Sequence, residues 1–101
     1  MAPIPTLPNV TNRTRDRLRR GDEYARILDR LERQAMVDPD EELRRQASFG
    51  NAEAVAALLD VGVPATGTAL RFALLARGAD GGLTARLIFD AGGRIPVDLL
   101  H

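Results

Sequence analysis

The 101 residues contain no cysteine and no lysine, one histidine at the last position, and four aromatic side chains, Tyr24, Phe49, Phe72 and Phe89. Without cysteine there are no disulfides, thiolate nucleophiles or cysteine metal sites, so a reducing compartment is allowed but not required. A lone imidazole at His101 assembles neither an ordinary zinc site nor a Ser/His/acid triad. Scarce aromatics beside 45% hydrophobic residues leave the core to Leu, Ala, Val and Ile, which suits closely packed helices better than a sheet. No stretch approaches the roughly 20 apolar residues of a membrane span. The start, MAPIPTLPNV, has neither the basic segment nor the apolar run of a secretory signal. The expectation is one all-α domain with a single core, unexported, cytoplasmic or within a phage particle, with no membrane partner.

All fourteen basic residues are arginine, and fourteen acids balance them. GC-rich coding accounts for this and also fits the fifteen alanines; selection for bidentate arginine contacts is the functional alternative. Residues 13–34 hold eight arginines against five acids, and the remainder is acidic. Such polarity could orient an assembly.

Residues 1–12 form an uncharged arm with Pro3, Pro5 and Pro8, and proline favours an extended backbone there. Its spaced Ile4, Leu7 and Val10 are arm-docking candidates that either fold back on the domain or lie on a partner. Residues 13–101 read as a single helical domain. The first part, 13–37, is an Arg-rich helix or helical hairpin, with Thr11 or Asn12 as cap and Gly21 inside or between helices. Tyr24, Ile27, Leu28, Leu31 and Ala35 make one apolar stripe, so a capping helix is expected over 24–37. Asp16/Arg20, Asp22/Arg26 and Asp29/Arg33 stand at i,i+4.

Asp38-Pro39-Asp40-Glu41 ends that helix and starts the next, with Asp38 as cap, Pro39 at N1 and Glu41 closing a capping box. The new helix carries Leu43 and Ala47 to Gly50. Asn51 caps a second one through Val55, Leu58 and Leu59 to Gly62. Thr68 is expected to start a third, with Leu70, Phe72, Ala73 and Leu74, broken by GADGG at 78–82. Leu83 or Thr84 opens the last full helix, ended by Gly92-Gly93.

VAALLDVGVPA at 55–65 and ARLIFDAGGRI at 85–95 share a bulky triplet, an Asp, one residue and a glycine, thirty positions apart. Paired short helices at such a period suggest a solenoid, in which neighbouring units bury each other's apolar faces. The chain here resembles the ankyrin repeat: Leu43, Ala47, Gly50, Glu53, Val55, Leu58, Leu59 and Gly62 follow its pattern in one unit, and Thr68, Leu70, Phe72, Ala73, Leu87, Ile88 and Gly92 in the next. The resemblance covers about residues 40–95 and implies two degenerate repeats, 38–62 and 66–93, with 94–101 as C-terminal cap. It departs from the family where the β-finger between units is missing and where Arg44 and Arg71 replace a histidine that helps lock neighbouring repeats.

Catalytic signals are absent. GADGG lacks a following Lys-Ser/Thr and a preceding strand, so it reads as a turn and not a phosphate loop. Asp40, Glu41 and Glu42 sit at a helix start, where capping and the macrodipole explain them. Arg20-Gly21-Asp22 is a coincidental adhesion tripeptide. No enzyme, cofactor or metal is expected.

The resemblance implies a protein-protein interaction module; because two repeats make a small stack, help from outside is expected, as a homo-oligomer or as an accessory or regulatory subunit of a larger bacterial or phage assembly. Its binding face would carry Arg44, Arg45, Ser48, Arg71, Leu74 and Arg77, with Leu58, Leu59, Leu87, Ile88 and Phe89 in the core. Two readings compete. One is a nucleic-acid-binding regulatory factor, or a module for an acidic partner, acting through Arg13, Arg15, Arg17, Arg19 and Arg20. The other is a direct protein inhibitor of a host or phage enzyme.

Overall fold

The computed structural model describes residues 11–33, 38–76 and 81–92, and among them the chain is helical, without strands. The helices are α1 (Asn12–Arg19), α2 (Asp22–Glu32), α3 (Pro39–Phe49), α4 (Ala52–Asp60), α5 (Gly67–Leu75) and α6 (Gly81–Asp90). The arm with Ile4, Leu7 and Val10, residues 34–37, the turn at 78–80, Arg77 and the expected cap at 94–101 lie outside the described residues.

Most boundaries follow from side chains that satisfy orphan N–H groups of the first turn. The Thr11 hydroxyl accepts from Thr14 N at 3.2 Å, and the Asp38 carboxylate accepts from Asp40 N and Glu41 N at 3.1 and 3.2 Å. Asn51 Oδ1 accepts from Ala54 N at 3.3 Å. Glu41 closes no box; its carboxylate instead lies 4.0 Å from Arg45. Thr66, two residues earlier than expected, caps α5 by accepting from Ala69 N at 3.1 Å, because the cap must precede Gly67 and Thr68 in the first turn. Likewise α6 opens at Gly81, ahead of Leu83 and Thr84.

Gly21 separates α1 from α2 and has no side chain to cap with. Glu53 of α4 supplies the missing acceptor, taking a hydrogen bond from Glu23 N at 3.2 Å. A Cβ at position 21 would meet that carboxylate, so a side chain there would have to push the Glu53 side chain aside. The expected 24–37 helix is corrected at its start: Gly21 and Glu53 move it to Asp22, and its described part ends at Glu32.

Three helical hairpins pack around α4. The second helices form a row, α2 beside α4 beside α6, while α3 lies against α5 and each of these backs onto its own partner. α4 is consequently enclosed: Ala52, Ala54, Val55, Ala56, Ala57 and Leu58 are all buried. Four alanines among these six let neighbouring helices approach closely, and a helix apolar all round belongs in a core. Ile27, Leu43, Leu70, Leu87 and Ile88 complete the interior, with Leu59 and Phe89 partly buried against it.

A polar latch joins α2 to α3. Glu42 is buried and receives Arg30 Nη1 at 2.9 Å and Gln46 Nε2 at 3.0 Å; Asn51 Nδ2 then donates to Gln46 Oε1 at 3.1 Å. Burial alone pushes the Glu42 carboxyl up, but the hydrogen bonds from Gln46 and Arg30, with the charges of Arg30 and Arg45, outweigh it and leave it below the ordinary value.

Candidate interaction surface

Two surfaces carry the sequence's candidate residues, and they lie on different helices. On the first, the side of α3 that meets α5 forms a shallow cleft lined by Glu41, Arg44, Arg45, Ser48 and Phe72. Its volume of about 260 Å³ falls short of the roughly 300–1,000 Å³ typical of small-molecule sites, and it is open to solvent. Arg45 is held by Glu42 at 3.5 Å and Glu41 at 4.0 Å, and the Ser48 hydroxyl donates to Arg45 O at 2.7 Å. Arg44, half-buried, and Arg71, exposed, make no ion pair with any described residue.

Beside this cleft α5 exposes Phe72 at 39%, Leu74 at 48% and Leu75 at 72%. Helical spacing places Arg71, Phe72 and Leu75 on the outward face, with Leu74 on its flank. Thus the structure brings Arg44, Arg45 and Ser48 together with Phe72, and sets Arg71 and Leu74 on the adjoining helix. Phe72 and Leu75 were missed as surface residues. The signal was available: six of the nine α5 residues are apolar, whereas a one-faced surface helix has about three or four in two turns. Phe49, the last residue of α3, is also exposed, at 65%.

The second surface is α1, which packs on α4 and approaches neither α3 nor α5. Leu18 is its only buried residue. Two of its arginines turn inward: Arg15 Nη2 reaches Asp90 Oδ2 at 3.7 Å, and Arg19 Nε reaches Asp60 Oδ2 at 3.3 Å. The Tyr24 hydroxyl donates to the same Asp60 oxygen at 2.7 Å. Burial, then this hydrogen bond, raises the Tyr24 hydroxyl above its ordinary value, and the Asp60 bond raises Arg19. Asp60 and Asp90 occupy equivalent places in LLDVG and IFDAG, thirty residues apart, and two arginines at i,i+4 on one helix pair with them. Arg86 Nε also sits 3.0 Å from Asp90 Oδ1, with its guanidinium over the Phe89 ring. The cavity beneath α1, about 150 Å³, is lined by these ion pairs and by Leu18, Leu59 and Leu87.

Arg13, Arg17 and Arg20 point away from this contact and form no ion pair with a described residue. The expected Asp16/Arg20 and Asp22/Arg26 pairs do not form: Asp16 faces Arg19 at 4.0 Å and Glu23 faces Arg26 at 3.3 Å, while Asp29/Arg33 forms at 3.0 Å. Among the described residues no helix is long and apolar enough to cross a membrane.

The chain matches no protein-family model, no curated protein and no solved structure. None of these comparisons identifies an ankyrin-repeat relationship.

Proposed function

We propose that this protein is a non-enzymatic protein-interaction module, built as a short ankyrin-like stack, that binds its partner across α3 and α5. The observation that carries the reading is the exposure of Phe72, Leu74 and Leu75 on α5 beside Arg44 and Arg71, two cations with no ion pair among the described residues. Burying those side chains would add favourable apolar area, and the arginines would pair with acids at its edge. The complementary partner presents an apolar ridge flanked by carboxylates. Such a face at the open side of a two-unit stack suits an accessory or regulatory subunit, because solenoids of fewer than about three units draw stability from what they contact.

The test is site-specific photo-cross-linking in the native cell. A photoreactive residue at Phe72 or Leu75 is expected to capture one dominant protein, and the same residue at Asp29 on α2 none. Equal labelling from both helices, or none from α5, refutes the assignment.

A further inference from the structure

We propose that the outer stripe of α1, Arg13, Arg17 and Arg20, is a docking surface for a carboxylate-bearing helix of another protein, separate from the α3/α5 face. The starting observation is a contrast in pairing. Every arginine of α2 has an acid: Arg26 with Glu23 at 3.3 Å, Arg30 with Glu42 at 2.9 Å and Arg33 with Asp29 at 3.0 Å. On α1, Arg15 and Arg19 are held by Asp90 and Asp60. The three arginines that pair with no described residue stand at i, i+4 and i+7, one continuous row on the exposed side of the helix, about 10 Å long.

Nothing among the described residues explains that row. Like charges at i,i+4 destabilise a helix, and α1 has eight residues, too few to be stable alone. The macrodipole favours Arg17 and Arg20 near the C-terminal end but disfavours Arg13 in the first turn. Asp16, the acid of α1 itself, faces Arg19 instead of Arg20. Arg13 is therefore the residue whose position costs stability without an internal return, as expected of a residue kept for binding.

Carboxylate chemistry fits better than a nucleic acid. Guanidinium groups take carboxylates bidentately, and a helix with acids at i, i+4 and i+7 matches the row in spacing. A long polyanion would run past α1 onto α2, whose Asp22 and Glu32 are exposed and whose arginines are already engaged. No aromatic side chain stands on α1 for bases to stack on.

The probe is a labelled helical peptide of about 16 residues with Glu at i, i+4 and i+7, compared with a scrambled peptide of identical composition and with a duplex DNA, by fluorescence anisotropy at about 50 mM salt. The aligned peptide is expected to bind about tenfold more tightly than the scrambled one and more tightly than the duplex. Arg13→Glu should weaken that binding about tenfold or more while the melting temperature holds or rises, a combination a merely structural arginine would not produce. Arg26→Gln on α2 should leave binding unchanged. Equal binding of aligned and scrambled peptides, an unaffected Arg13→Glu variant, or preference for the duplex each overturns the proposal. None of these outcomes bears on cross-linking at Phe72, so the two surfaces stand or fall separately.

Discussion

Gly62 and Gly92, thirty residues apart, end their helices in the same left-handed turn. Gly62 N donates to Leu59 O and Gly92 N to Phe89 O, both at 3.1 Å, and their φ angles are 101° and 112°. A Cβ at either site meets nothing within 4 Å, so the need for glycine comes from the left-handed backbone and not from crowding. Gly62→Ala is expected to cost about 1 kcal/mol in urea denaturation, and Gly62→Asn less, because Asn tolerates that conformation. Glu42 makes a second residue-scale prediction. Its folded-state value lies below the ordinary one of about 4.3, so the ionised carboxylate contributes stability above that pH and loses it as pH falls through the lowered value. The melting temperature should therefore drop between about pH 5 and pH 3, and Glu42→Gln should flatten that drop while lowering stability at neutral pH.

Among the elements, α4 and α5 are opposites built from similar residues. α4 is enclosed by α1, α2, α3 and α6, so Leu58→Ala is expected to cost about 2–5 kcal/mol. Leu75→Ala on exposed α5 should stay within about 0.5 kcal/mol, and chemical denaturation of both variants checks the contrast. α1 is held differently, by Leu18 and two ion pairs, and surface pairs are screened by salt. Replacing Arg15 and Arg19 together by alanine should speed amide exchange across residues 12–19 while the rest of the chain keeps its protection. Raising the salt concentration should move the native protein the same way. Local chemistry made the capping of α3 and α4 legible in advance, since Asp38 and Asn51 act on N–H groups two or three residues away. The start of α2 was not legible, because its capping acceptor, Glu53, arrives from another helix.

For the molecule as a whole, the packing of α3 on α5 and of α4 on α6 sets the two glycine-ended hairpins side by side. That arrangement turns a list of exposed residues into a surface. Arg44→Ala combined with Arg71→Ala is expected to leave the melting temperature nearly unchanged, because neither guanidinium is ion-paired to a described residue, while the adduct captured from position 72 falls several-fold. Helical class, glycine-terminated ends and the thirty-residue period were all determined by the sequence itself, because caps, left-handed glycines and apolar spacing act over a few bonds. That Arg15, Arg19 and Arg30 are neutralised by acids of other helices was decided only by tertiary structure, whereas local spacing set Asp29/Arg33. Asp60 and Asp90 lie 41 and 75 residues beyond Arg19 and Arg15, and only the folding of α1 onto α4 brings them within reach. The same holds for α5: its apolar excess is visible in the letters, but a residue is buried or exposed according to which neighbours arrive, and among the described residues Leu75 stays exposed while α3 covers only part of Phe72.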